Sequence, residues 1–251
     1  MSIPLTTILG THISCLNLEE TLALMSSTIV NSEKKRFCVT PVNCLLWARK
    51  NTYLQQIYNS SDGNFADGVP VVWASQILGE PIRGRVTGLD VLPRFAKRAE
   101  EKGFSFFFLG AKEGVAEKLS DILQKQFHAL KIVGTYSPPF AEKFSDEENS
   151  KMIALVNSAK PDVLWVSLTA PKQDYWIYEH FAKLNVKIAI GVGGAFEVTA
   201  GLIPRAPQWM QRNGLEWFFR LMREPRRMFY RYVIEAPRFI PLVLLQKMKL
   251  L

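Results

Sequence analysis

Residues suited to metal binding and redox chemistry are scarce in this sequence. Its 251 residues include three cysteines (Cys15, Cys38, Cys44) and three histidines (His12, His128, His180). None stand at metal-ligand spacing, so neither a disulfide framework nor a zinc site is indicated. The thiols read as buried groups in a reducing compartment. No stretch of 18 apolar residues occurs, and no transmembrane helix is expected. The first ten residues lack the basic start and apolar core of a signal peptide, which points to the cytoplasm. Three nucleotide-site motifs are also missing. Without a Gly-x-Gly-x-x-Gly opening a helix after an early strand, an NAD(P) oxidoreductase loses its main support. Without Gly-Lys-Ser/Thr after a glycine turn, an ATPase is not indicated. Without an Asp-x-Asp pair, no divalent-metal motif remains, and no metal or cofactor is expected.

What the chain has is apolar material in short runs. Hydrophobic residues make up 48% of it, enough for a substantial core. Residues 37–42, 104–109, 132–135, 163–168 and 187–192 read as strands, with little alternation along them. Helical patterns follow, over 113–127 and over 145–159, where Ser145 and Glu148 form a capping-box pattern. Buried strands spaced by helices predict a Rossmann-like α/β fold, a mostly parallel sheet with helices on both faces.

Charge divides the chain. Residues 205–251 hold ten Lys/Arg against three acids, which leaves residues 1–204 near neutrality in a chain of net charge +8. We therefore read 1–204 as a catalytic body and 205–251 as a basic helical appendage. Its partner should be anionic: nucleic acid, membrane phospholipid or a diphosphate. The apolar end, 239–249, is too short to span a bilayer but suited to lie in an interface. That favours a membrane surface over nucleic acid, and exposed apolar helices there also suit a homo-oligomer.

Five segments carry candidate chemistry. Asp67, in Ala66-Asp67-Gly68-Val69-Pro70, suits the end of a strand, where parallel sheets open their ligand crevice. A carboxylate there can accept a proton, although Asp-Gly is also common turn chemistry. Residues 191–196 place Gly193 and Gly194 after a buried strand, where backbone amides can approach phosphate, or where glycines merely permit a tight turn. Lys172 and Gln173, in Pro171-Lys172-Gln173-Asp174, can reach a diphosphate or sugar hydroxyls, or sit on a polar helix start. Arg85 can brace a phosphate with two parallel hydrogen bonds, or an arginine there can pair with Asp90. In the tail, Arg220, Arg223 and Arg227 share a helix face by spacing if Pro225 does not bend it. Arg226 and Arg231 lie close by, with aromatic residues between.

In their order, these motifs resemble those of the WecG/TagA/CpsF family of bacterial glycosyltransferases. The resemblance covers residues 40–232. It rests on Ala66-Asp67-Gly68-Val69-Pro70-Val71-Val72-Trp73, Arg85-Val86-Thr87-Gly88-Leu89-Asp90, Phe108-Leu109-Gly110-Ala111, Pro171-Lys172-Gln173-Asp174, the 191–196 turn with Ala200-Gly201, Arg205-Ala206-Pro207, and Gly214-Leu215-Glu216-Trp217 with Glu224-Pro225-Arg226-Arg227. It implies an inverting enzyme without an obligatory metal. The donor would be a UDP-sugar of N-acetylmannosamine type. The acceptor would be a sugar on undecaprenyl diphosphate at the inner membrane face, feeding teichoic acid, capsule or exopolysaccharide. Asp67 matches the catalytic base, Arg85 the arginine on the leaving diphosphate, and Gln173 a substrate contact. Arg205, Arg220, Arg226 and Arg227 match the appendage that completes the site. The family often has Thr-Pro-Asn before the first helix. Here Thr40-Pro41-Val42-Asn43 shifts the asparagine by one residue, and Thr40 and Asn43 are carried as binding residues with that displacement.

Overall fold

The apolar runs become strands within a residue or two of the expected bounds. The computed structural model describes residues 3–250, the side chain of Arg227 excepted. A hairpin of β1 (Leu5–Ile8) and β2 (Thr11–Ser14) precedes α1 (Leu18–Val30). The main sheet then begins with β3 (Lys35–Pro41), α2 (Val42–Lys50), α3 (Thr52–Asn59) and β4 (Gly63–Asp67). Helices α4 (Val69–Leu78) and α5 (Gly88–Lys102) lead to β5 (Ser105–Gly110), α6 (Val115–Gln126) and β6 (Lys131–Tyr136). There follow α7 (Asp146–Ala159), β7 (Val163–Ser167), α8 (Lys172–His180), β8 (Ile188–Gly191) and α9 (Ala195–Thr199).

Six strands pair in the order β4-β3-β8-β7-β5-β6, all parallel. One face buries Phe37, Phe65, Phe106, Phe108 and Trp165 under α1, α5 and α6. The Phe106 and Trp165 rings meet edge-on at 5.4 Å, a favoured aromatic geometry. The other face buries Leu164 and Val166 against Met152 of α7 and Trp176 of α8. The expected α/β fold is therefore the observed one. Burial on both faces explains why the strands show so little alternation.

Local signals set the element ends. Asn17 and Glu20 form a full capping box on α1. At α7 the expected box is half made: the Ser145 hydroxyl accepts from the Glu148 amide, while the Glu148 carboxylate accepts from the Tyr136 hydroxyl at 2.8 Å. The free edge of β4 is covered by the hairpin. The Asn64 amide N–H donates to Ser14 Oγ, and Asn64 Nδ2 donates to the His12 carbonyl. That arrangement protects a strand edge from pairing with another chain.

After α9 the chain runs through α10 (Gln208–Arg212), α11 (Glu216–Arg223), α12 (Pro225–Phe229), a π-helical stretch (Tyr230–Glu235) and α13 (Phe239–Lys247). Pro225 does break the helix, since Glu224 leaves helical geometry (φ −130°, ψ 60°), so the face shared by Arg220 and Arg223 ends with α11. The final helix is held by the body. Phe239 and Val243 are buried beside Val71 and Ala74 of α4 and Ile8 of the hairpin. Gln246 closes this contact, accepting from the Leu9 amide and donating to the Thr7 carbonyl, both at 2.7 Å. The expected interface-lying stretch is thus a helix packed on the body along one side, with Leu244 exposed on the other and Met248 exposed just past its end. Among the described residues no helix is long and apolar enough to cross a membrane.

Candidate functional site

The site forms where parallel strands end. Strands β3 and β8 are neighbours in the sheet, and from their carboxyl ends the chain leaves into α2 and α9 respectively, the kind of position where parallel sheets bind ligands. Pro41 and Asp67 end adjacent strands in register. Asp67 is half-buried, and Gly68 with φ +99° makes the sharp exit into α4. The Val86 amide donates to the Ala66 carbonyl at 2.8 Å, which draws the Arg85 loop alongside. Gly88 abuts Val192, so close that an added Cβ would lie 2.9 Å from the Val192 carbonyl oxygen. From the tail, Gly214 (φ +70°) lies so near Val69 that a Cβ there would clash at 2.9 Å. Three distant segments thereby meet around Asp67.

The charges there are mostly cationic. Arg85 donates to Glu216 Oε2 at 2.7 Å. Arg205 donates to Glu216 Oε1 at 3.1 Å and to Asp90 Oδ1 at 2.7 Å. Burial raises the Asp67 carboxyl above the ordinary carboxylate range; Arg220, Arg231 and Arg85 oppose that shift, and Glu216 adds to it. For Arg205, burial opposes the charge, but Asp90 and Glu216 outweigh it and raise its pKa. Phe219 forms one wall of a narrow crevice with Arg205, Glu216 and Arg220. It also borders a wider groove of about 270 Å³ with Met210, Phe218, Met222 and Arg223.

The remaining expected residues fall into two groups. Gln173 is buried beneath the glycine turn, and its Oε1 accepts from the Gly193 amide at 3.0 Å. The Ser167 hydroxyl donates to the Gly193 carbonyl at 2.6 Å, so Gly193 is held on both sides, while Gly194 is exposed at the start of α9. The Gly193 N–H therefore serves the turn itself, a role the phosphate-cradle expectation did not foresee. Thr40 is fully buried and donates its hydroxyl to Asn64 Oδ1. Asn43 is buried in the first turn of α2, and its one-residue shift leaves Val42 in the more accessible position. Lys172 turns away from the crevice. Its Nζ donates to the Ala141 carbonyl and lies 3.6 Å from the Phe144 ring centre. Arg226 stands exposed on α12, and the side chain of Arg227 lies outside the described residues.

Sequence reasoning passed over several groups. Arg231 appeared only within a basic run, yet its charge reaches Asp67 from the π-helical stretch. Glu216 and Asp90 lay inside quoted motifs but carried no site role. Glu197 has a buried Oε2 with no hydrogen-bond partner among the described residues, beside Gly194. No local signal marks such a group, because its isolation arises from packing alone. Among the described residues no cluster of three or more His, Cys, Asp or Glu is placed to hold a metal ion.

A half-buried carboxylate thus ends a parallel strand, beside arginines of the body and the tail that are tied together through Glu216. Comparison with known proteins gives the class: the chain belongs to the glycosyl transferase WecG/TagA/CpsF family, whose model matches residues 6–251. It is 27% identical over 221 residues to an N-acetylglucosaminyldiphosphoundecaprenol N-acetyl-beta-D-mannosaminyltransferase of Bacillus spizizenii, covering 88% of this chain and 83% of that protein. A Bacillus subtilis protein of the same name is 29% identical, over 75% of this chain and 70% of its own length. One from Staphylococcus aureus is 30% identical, over 70% and 66%.

Proposed function

We propose that this glycosyltransferase moves a sugar of N-acetylmannosamine type from a UDP-sugar to a hydroxyl of a sugar carried on a polyprenyl diphosphate, with inversion. The acceptor oxygen attacks the donor's anomeric carbon opposite UDP. The bond from that carbon to the UDP oxygen breaks, and the acceptor proton passes to Asp67. UDP leaves with growing negative charge, which Arg85, Arg205, Arg220 and Arg231 offset as fixed cations, with no metal required. Gln173 and the turn it holds shape the donor side. Thr40 and Asn43 support the β3 end from below. The observation that carries this reading is the half-buried Asp67 at the end of β4, with the Arg85 loop hydrogen-bonded alongside and Arg85 and Arg205 gathered on Glu216 of the tail.

The relatives' names suggest the acceptor class, since each names a diphosphoundecaprenol-linked sugar. The groove beside Phe219 suits the apolar part of such a molecule. Trp209, Phe218, Met222, Phe229 and Tyr230 are exposed nearby, interleaved with Arg223 and Arg226. An apolar surface with basic residues suits the anionic inner face of a cell membrane. The test is Asp67→Asn, assayed with UDP-N-acetylmannosamine and a lipid-diphosphate N-acetylglucosamine analogue. The expected loss of turnover is at least about 100-fold in a folded variant. Turnover near that of the unaltered enzyme removes Asp67 from the base role.

A further inference from the structure

Arg85 and Arg205 lie 120 positions apart in the sequence and converge on one carboxylate, that of Glu216. Each Glu216 oxygen takes one guanidinium, at 2.7 and 3.1 Å. Arg205 continues to Asp90, whose other oxygen accepts from the Thr87 hydroxyl at 3.0 Å. Thr87 in turn caps α5, accepting from the Asp90 amide. A continuous chain of charge-assisted bonds therefore runs from the body, through Glu216, into the tail. Glu216 opens α11, which has no side-chain cap at its N-terminus and lies against the body at this end. One turn further on, Arg220 shares the helix face of Glu216. Arg220 is also the cation that acts most on Asp67.

From this geometry we infer that Glu216 is a positioning residue: its carboxylate pins α11 to the body through Arg85 and Arg205, and so holds Arg220 in the crevice that Arg205 and Phe219 also line. This rests on the glycosyl-transfer reading for its catalytic consequence, but the pinning itself does not. A carboxylate is needed because only two acceptor oxygens with a shared negative charge can satisfy two guanidinium groups at once. The Gln side chain keeps the shape and loses the charge. The Asp side chain keeps the charge and is one methylene too short to reach both partners.

The experiment uses the full chain, with Glu216→Gln, Arg220→Gln and the double variant. Hydrogen–deuterium exchange is followed over residues 216–235, and turnover is measured with the donor and acceptor above. In Glu216→Gln, exchange over α11 should rise about tenfold and turnover should fall about tenfold, the scale of one charge-assisted bond. In the double variant, the loss beyond Arg220→Gln alone should be smaller than the loss Glu216→Gln causes in the unaltered enzyme, because part of that loss acts through Arg220 and the rest through Arg85 and Arg205. Unchanged exchange over α11 overturns the proposal. So does loosened α11 with turnover within about twofold of the unaltered enzyme, and so do fully additive losses in the double variant. Should Glu216→Gln fail to fold, Glu216→Asp carries the same readouts with a smaller expected effect. Should the unaltered enzyme transfer no sugar, the glycosyl-transfer reading fails, and the exchange arm alone decides the pin.

Discussion

At Asp67, burial and charge pull in opposite directions, and burial prevails. A base must be ionised to work, so the acid limb of kcat/KM should lie above the ordinary aspartate value of about 3.9. Arg220 is the largest opposing influence, and Arg220→Gln should move that limb to higher pH, as a pH–rate profile would show. A second buried carboxylate sits behind the site. Asp174 accepts from the Tyr58 hydroxyl at 3.1 Å, and its Oδ1 has no partner among the described residues. Burial pushes its pKa from the ordinary 3.8 to about 7, against the pull of Tyr58 and Arg36. The folded chain therefore holds a proton that the unfolded chain releases, and the contribution of Asp174 to stability should be full below about pH 4 and be lost as pH rises through about 7. Asp174→Asn should flatten that slope, measured by urea unfolding at about pH 5 and about pH 8.5. The aspartate itself was visible in the sequence within a motif. Its isolation was not, because Tyr58, Cys38 and Cys44 reach it from α3, β3 and α2.

Among the elements, the tightest fits involve glycine. An added Cβ at Gly191 would lie 2.7 Å from the Gln173 amide nitrogen. Gly191→Ala should therefore displace Gln173 from the Gly193 turn and reduce donor affinity more than it lowers the melting temperature, as titration calorimetry with UDP beside thermal unfolding would show. The final helix obeys a different rule. It was legible as apolar, but apolar residues suit a membrane or a protein interior equally well. Phe239 and Val243 take the interior because α4 and the hairpin offer a matching surface. Phe239→Ala should cost about 3–5 kcal/mol of unfolding free energy, whereas Leu244→Ala on the exposed side should cost far less.

For the whole molecule, the cationic tail is folded over the carboxyl edge of the sheet. Trp47 on α2 donates to Glu235 of the π-helical stretch at 3.3 Å, and Glu216 ties α11 to the body at the other side. The membrane contact proposed above would use the exposed aromatic surface between Trp209 and Tyr230. Replacing Trp209, Phe218 and Met222 together with Ser should abolish flotation with anionic liposomes and leave the fold intact by circular dichroism. Retained flotation would move the contact elsewhere.

Five of the six strands of the sheet and its parallel α/β class were legible because strands buried on both faces must be almost wholly apolar, and helices must connect parallel neighbours; the short β4 was legible only at its end, Asp67, and the strand order was not. Asp67 was legible as a strand-end carboxylate, and Arg85 and Arg220 as cations in ordered motifs. The tertiary structure alone decided which cations meet which acids: Arg205 with Asp90 and Glu216, Arg85 with Glu216, Arg231 toward Asp67, and Lys172 away from the crevice. Chain periodicity sets which residues share the face of one element. Which faces then meet depends on how the elements pack, and a long charged side chain follows whichever partner that packing brings within reach.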